Sequence, residues 1–493
     1  MDASIRPECL TGTRVGIVDA IRSWVFLRSE RAQVFWLYGL AGSGKSTIAT
    51  TIANFFRGQN RLGAFVFCNR HLAERNEPSN VIRNIAYRLA LFDPRIRDAI
   101  TVAIHDLPTI AESPLRLQFD KLILEPLRKL PSTECPIIIV LDALDECGNT
   151  ASRIRLLALL AEESARLPPF IRVLVTSRPE KDIRIAFIGR PHVTVHEIDI
   201  ASESNREDVA KFLRQQMTDI RAANPTLLLA PDWPGNSAIY ALANRASGLF
   251  IWASTACRFI NAHKPQKRLD ILLRGDVNAE PELALDALYK TALEATGILD
   301  DDELCSDFRA VMGIVLVARN PITHQTIDAL LSLDSPSLHT IQKLGCVLRW
   351  SDTEPVRILH PSFADFLMMQ RRCGEALYID AALHNSAVAI SCIYHLNRKG
   401  VLKKNVCNLG LSMTPVDNPL PIITSYASVS WIDHVCMIAV ASVNLADVLE
   451  QFMFQHLLHW LEVMSILKQS RTTIALMKDL ICWLRVCILY FLA

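Results

Sequence analysis

Gly39-Leu40-Ala41-Gly42-Ser43-Gly44-Lys45-Ser46 decides how the rest of this sequence is read. The segment satisfies G-x-x-x-x-G-K-[ST], the loop whose backbone cradles the phosphates of a nucleoside triphosphate. Glycines at 42 and 44 let successive N–H groups turn into one concavity that binds an anion. Lys45 brings an ammonium to the β- and γ-phosphates, and the Ser46 hydroxyl is placed to ligand Mg²⁺. The opening turn of a helix, with Thr47 next in line, adds its positive dipole end. The flanks agree. Val34-Phe-Trp-Leu-Tyr38 predicts a buried strand, and Ile48, Ala49, Ile52, Ala53 and Phe56 recur at helical spacing. Gly39 through Thr47 is therefore the candidate nucleotide-binding set.

Two other strand ends extend it. Pro136-Ile-Ile-Ile-Val-Leu141 is an uninterrupted apolar run, as in a parallel strand buried on both faces. It leads into Asp142-Ala-Leu-Asp145-Glu146-Cys147. A carboxylate at such a strand end serves a hydrated Mg²⁺, and Asp142 is the candidate. Asp145 or Glu146 can polarise an attacking water. The alternative for both is to cap a helix beginning near Thr150. A third run, Ile171-Arg-Val-Leu-Val175, ends in Thr176-Ser177-Arg178-Pro179. Arg178 then stands at the carboxyl edge of the sheet, where open α/β sheets bind ligands. A guanidinium there can contact a γ-phosphate and register its presence; the plainer reading is a surface arginine before a turn proline.

At 493 residues the chain exceeds one core, and about two to four domains are expected. Lys and Arg number 52 against 51 acids, a net charge of +1, so no field recruits nucleic acid or anionic lipid. Lys399, Lys403 and Lys404 read as a solvated helix face. The 13 cysteines are scattered and form no C-x-x-C pair, and the polar first residues are not a secretory signal. This usage indicates a reduced, cytoplasmic protein. His456 and His459 share a helix face, but Leu457, Leu458, Trp460 and Leu461 around them indicate packing rather than a metal site.

Strand signals near 34–38, 64–68, 136–141, 171–176 and 193–196 alternate with helices, predicting an α/β phosphate-loop domain with a parallel sheet over 1–200. Helical periodicity at 203–220, 235–246, 249–262 and 281–296 predicts a helical domain over 201–285. Further helices lie between Cys305 and Arg372, together with a hairpin of Cys346–Trp350 and Val356–Leu359 turning at Asp352-Thr-Glu-Pro355. That pattern fits a winged helix over 286–378. The region 379–493 reads as all-helical, without internal repeats. Leu480–Ala493 is apolar except for Arg485, but its 14 residues fall short of the roughly 20 of a membrane span. A buried helix is the expectation.

Through 39–46, 142–146 and 176–179 the chain resembles the NACHT-type members of the STAND class of signal-transducing P-loop NTPases, above all large fungal NACHT proteins that often carry WD-repeat propellers. Ala143 followed by Asp145 and Glu146 matches the NACHT form of the acidic strand end, and Thr176–Pro179 matches the sensor segment. Cys9-Leu-Thr-Gly-Thr13-Arg14, with Trp24 downstream, resembles the family's entry segment, which makes Thr13 and Arg14 candidate nucleotide contacts. Softer matches are Gln118-Phe119, Gly248-Leu-Phe-Ile-Trp252-Ala253 and Leu359-His360-Pro-Ser-Phe363-Ala-Asp-Phe366-Leu367. Phe250 departs from the pattern, standing where related plant and animal switches carry the proline of Gly-x-Pro.

The resemblance implies that His360 reaches from the winged helix to the β-phosphate of ADP and locks a closed state. The residues alone favour a core histidine, and it is the motif match that turns the reading towards the nucleotide. The implied function is an ATP/ADP-gated switch with slow hydrolysis, requiring Mg²⁺. ATP would release the winged helix and permit self-oligomerisation, with a protein ligand and an effector that the sequence does not identify. In fungal relatives the class is implied in non-self recognition and cell death, an innate-immunity-like role. Relatives continue into WD repeats, so the chain reads as the switch core, interrupted at its C-terminus. Two rivals stay open. One is a multi-turnover P-loop ATPase remodeller, which needs an arginine donated across a ring; the other is a scaffold that binds nucleotide without turnover. GTP also stays open as the substrate.

Overall fold

Four largely apolar runs and the β-branched stretch Val193-Thr-Val195, all too short for helices, become the strands β1 (Val34–Tyr38), β2 (Leu62–Phe67), β3 (Ile137–Asp142), β4 (Ile171–Ser177) and β5 (Val193–Glu197). They form one parallel sheet in the order β2-β3-β4-β1-β5. The computed structural model describes residues 6–27, 33–70, 77–131, 135–275, 280–331, 333, 335–407, 420–439 and 442–491. The chain divides into two compact units, Met1–Leu288 and Tyr289–Ala493.

In the first unit, β1, β3 and β4 are buried at every position, which is why they read as continuous apolar runs rather than alternating ones. Their side chains alternate between two apolar layers. Phe35, Leu37, Ile138, Val140 and Leu174 pack with Ile48, Ile52 and Phe56 of the helix Lys45–Gly58 and with Ile21 and Trp24 of the helix Val15–Phe26. Val34, Trp36, Ile139, Val173 and Val175 pack with Ile82, Ile85 and Leu89 of the helix Pro78–Phe92 and with Leu156 and Leu160 of the helix Thr150–Glu163. Strand β5 has one neighbour and is only partly buried, as expected at an edge. Because β4 lies between β1 and β3, the loop after β1, the acids after β3 and the end of β4 come side by side. Beyond the sheet follow the helices Glu203–Ala223, Asn236–Arg245, Phe250–Ala262 and Pro265–Arg274.

The second unit holds the helices Asp302–Val317, His324–Leu330 and Ser337–Lys343, then β6 (Leu348–Arg349) and β7 (Arg357–Ile358), paired antiparallel, and the helix Pro361–Leu367. The hairpin strands are two residues each, shorter than the apolar stretches that signalled them. Among the described residues five further helices run from Ala381–Asn397 to Ser470–Phe491, around fully buried Trp431, Phe452 and Trp460. Among the described residues no helix is long and apolar enough to cross a membrane. The apolar run that begins at Leu480 is part of the helix Ser470–Phe491, whose first half carries Arg471, Lys478 and Asp479.

Candidate nucleotide site

The loop between β1 and the helix Lys45–Gly58 turns through glycines at φ +76° (Gly42) and +93° (Gly44), a region that side-chain-bearing residues seldom adopt. Gly42 has a second constraint: a Cβ there would stand 1.8 Å from Ile251 Cγ2. The helix Phe250–Ala262 approaches so closely that the Ile251 N–H donates to the Gly42 carbonyl at 3.2 Å. Lys45 opens the helix beneath the loop, and its Nζ donates to the Gly39 and Leu40 carbonyls at 2.8 Å each. Burial pulls its ammonium down to about 8, with Asp145 opposing that shift. The Thr47 hydroxyl donates to the Gly44 carbonyl at 2.7 Å, and the Ser43 N–H donates to the Leu40 carbonyl at 3.2 Å, so both brace the loop.

Asp142 ends β3 at zero exposure. Its Oδ1 accepts from Ser46 Oγ at 3.1 Å and from Thr176 Oγ1 at 2.6 Å, and its Oδ2 pairs with the Arg6 guanidinium. Thr176 Oγ1 also accepts from the Ala143 N–H at 3.1 Å, fixing the turn at φ 58° where the chain leaves the strand. Ser46 and Asp142 thus converge from two strand ends, as a divalent cation's oxygen ligands must, and a guanidinium already stands against the carboxylate as a cation would. The residues present fit Mg²⁺.

Asp145 and Glu146 lie in a short 3₁₀ turn, Leu144–Glu146, and do not cap the following helix. Asn149 does, accepting from the Ser152 N–H at 2.9 Å. Asp145 is instead tied to β4. Its Oδ1 accepts from the Arg178 N–H at 3.0 Å, and its Oδ2 pairs with Arg178 Nε at 3.3 Å. The turn is clamped from behind by buried Arg153, which donates to the Asp145 carbonyl at 2.5 Å and pairs with Asp182 at 2.8 Å. Burial raises the Glu146 carboxyl to about 7, with Arg70 opposing and Asp145 assisting. Arg6, Thr176 and Arg153 were not singled out in the sequence. Thr176 stood in the segment read for its arginine, whereas Arg6 and Arg153 carry no local signal.

Of Thr13 and Arg14, it is Arg14 that reaches the same loop. The Thr13 hydroxyl closes a turn on the Leu10 carbonyl at 2.7 Å. Arg14 is held by its own N–H on Asp208 at 2.8 Å, donates to the Ser43 carbonyl at 2.6 Å and stacks on Phe250 at 4.8 Å. Phe250 therefore packs against a guanidinium. Arg14 Nε and Ser43 Oγ are buried beside the loop without a partner among the described residues, as a site for a polar ligand would leave them. His360 lies in the second unit and caps the helix Pro361–Leu367, its Nδ1 accepting from the Ser362 N–H at 3.2 Å. Ser362 Oγ stands 2.7 Å from the same nitrogen and 2.9 Å from the Tyr289 hydroxyl. His456 and His459 have ring centroids 6.0 Å apart, and no cluster of three or more metal-ligating side chains exists among the described residues.

Residues 12–178 match the family model described as nephrocystin 3, N-terminal. Vegetative incompatibility protein HET-E-1 of Podospora anserina is 25% identical over 480 residues, covering 88% of this chain and 33% of its own length. The chain thus spans about a third of that relative. Among solved structures, a STAND protein with a tetratricopeptide repeat sensor from Pyrococcus horikoshii is 14% identical, with TM-score 0.45 over 99% of this chain and 60% of its own. Cdc6p of Pyrobaculum aerophilum is 13% identical, with TM-score 0.34 over 79% of this chain and 98% of its own. At those scores the two solved structures add nothing to the chemistry. The family match spans both the phosphate loop and the acidic strand end, and ends on Arg178. With these three strand ends brought together as described, both matches support the likeness of this chain to NACHT-type P-loop NTPases of the STAND class.

Proposed function

We propose that this chain is an ATP/ADP-gated switch that hydrolyses ATP slowly. One observation carries the reading: Lys45, Ser46, Asp142, Asp145 and Arg178, from three strand ends, share one carboxyl edge of one sheet. Backbone amides from Gly39 to Thr47 and the Lys45 ammonium bind the β- and γ-phosphates, while Thr13 and Arg14 lie against the nucleotide. Ser46 and Asp142 hold Mg²⁺, which when bound neutralises phosphate charge. Glu146 is the general base, because its raised carboxyl can accept a proton near neutral pH. Asp145 is spoken for by Arg178 and serves to hold that arginine until a γ-phosphate competes for it.

The division of labour assigned here is a NACHT domain over 1–200, a helical domain over 201–285, a winged helix over 286–378 and a helical region over 379–493. His360 is the residue of the winged helix assigned to the ADP β-phosphate. Exchange of ADP for ATP favours self-oligomerisation, and the setting is cytoplasmic signalling. The name of the relative, a vegetative incompatibility protein, supports a place in non-self recognition.

Steady-state turnover and the nucleotide that co-purifies test this. Slow cycling with retained ADP is the expected result. Fast cycling marks a remodeller, no turnover marks a scaffold, and retained GDP replaces adenine by guanine. His360→Ala should lose part of the thermal stabilisation given by ADP, since a charge-assisted bond of about 1.5–3 kcal/mol is removed from the ADP-bound state only. Equal stabilisation by ADP in variant and wild type would reduce His360 to a helix cap.

A further inference from the structure

We infer that Arg6 is a built-in counter-ion that occupies the metal-binding carboxylate of Asp142 until a divalent cation arrives with nucleotide. This rests on the reading that Asp142 and Ser46 hold Mg²⁺. A fully buried carboxylate without a positive partner is costly, because its hydration is lost and nothing replaces it. The hydroxyls of Ser46 and Thr176 both serve Oδ1 of Asp142. Oδ2 is served by Arg6. The Arg6 guanidinium is held there from two directions, by the carboxylate and by the ring of Phe67 at 3.8 Å. Phe67 is at the end of β2, directly in register with Asp142.

The backbone around Arg6 is anchored independently. Glu8 accepts from Asn54 at 2.7 Å, and the Cys9 N–H donates to Thr51 Oγ1 at 2.9 Å, so residues 8 and 9 are stapled along the helix Lys45–Gly58. Arg6 can therefore swing away without the segment after it detaching. Mg²⁺ demands near-octahedral oxygen ligands at short range, and its double charge on the Ser46 side of the carboxylate takes over the pairing and repels the guanidinium held on Oδ2. Metal loading and displacement of Arg6 are then one event, and the apparent metal affinity is lowered by the strength of the pair that must be broken.

The full chain with saturating ADP, titrated with Mn²⁺ and followed by the electron paramagnetic resonance of free Mn²⁺, tests this. Arg6→Gln should bind Mn²⁺ about tenfold or more tightly, the range expected when a charge-assisted bond no longer competes. Arg6→Lys keeps the charge but loses the planar stacking, and should fall between. Without metal, Arg6→Gln should melt below wild type; at saturating Mn²⁺ and ADP the two should melt together. Unchanged or weaker Mn²⁺ binding by Arg6→Gln overturns the counter-ion. Asp142→Asn separates the two readings. If it binds Mn²⁺ as wild type does, the metal site itself is misassigned. If it loses Mn²⁺ while Arg6→Gln matches wild type, only the role of Arg6 falls.

Discussion

Two buried polar clusters in this chain have opposite characters. At the carboxyl edge of the sheet, Asp142, Asp145, Glu146, Lys45, Arg178 and Arg6 bring ionisable groups together, and several depend on partners that a ligand can replace. In the second unit, Tyr426, His434 and Asn385 form a neutral relay. The Tyr426 hydroxyl lies 3.0 Å from His434 Nε2, His434 Nδ1 lies 2.8 Å from Asn385 Oδ1, and Asn385 Nδ2 donates to the Ala381 carbonyl at 2.7 Å. Each donor there meets an acceptor, and burial pushes the His434 imidazole down to about 3, so it stays uncharged. A neutral, mutually satisfied network fixes packing. A charged one held partly by exchangeable partners is what a ligand site looks like before its ligand binds.

The contrast can be broken by experiment. The largest effect expected is from Lys45→Ala. ADP affinity should fall at least tenfold and up to about a hundredfold or beyond, since charge-assisted bonds to phosphate are worth about 1.5–3 kcal/mol each. The nucleotide-free protein should melt no lower than wild type, because a buried ammonium is removed. Calorimetry and thermal melting read the two halves, and unchanged ADP affinity refutes the loop assignment.

The second unit should respond in the opposite sense. The folded His434 binds a proton only near pH 3, whereas the unfolded one does so near 6.5. Below about 6.5 the unfolded state therefore holds more protons, and stability falls with falling pH by up to about 1.4 kcal/mol per unit. Denaturant titrations from pH 6.5 to 4.5 should show about 2–3 kcal/mol lost in wild type beyond that in His434→Gln. Asn385→Ala should cost about 1–3 kcal/mol at neutral pH by orphaning the imidazole, with ADP affinity untouched. If Asn385→Ala weakens ADP binding instead, the two clusters are not separable in function.

The smallest effect is the pH profile of hydrolysis. A base at about 7 is ionised in half the molecules at pH 7 and in about a tenth at pH 6, so turnover should drop about fivefold over that unit. Glu146→Gln should abolish turnover while retaining nucleotide. A flat profile, or normal turnover in Glu146→Gln, moves the base to Asp145.

Much of the first unit was legible because its signals are local. The β1 run, the glycines of the loop and the helical spacing after Lys45 sit within a few residues of one another, and Asp142 is marked by the strand it ends. That Asp145 and Glu146 do not cap the following helix is decided by Asn149, which holds the capping position. Their distinction also came from elsewhere in the chain, since Arg178 claims Asp145 across 33 residues. The hairpin of the second unit was foreseen in place but not in extent, because its pairing stops after two residues on each side.

By itself, then, the sequence determined the phosphate loop, the five strands and the acidic strand end, since each follows from residue type and short-range periodicity. Only the tertiary structure decided which charges meet. Strand order places β4 between β1 and β3, and that arrangement brings Thr176 onto Asp142 and Arg178 onto Asp145. The partnership of Arg6 with Asp142 spans 136 residues. Buried charges select their partners by distance in space and by the cost of being left unpaired, and neither quantity is written in the order of the residues.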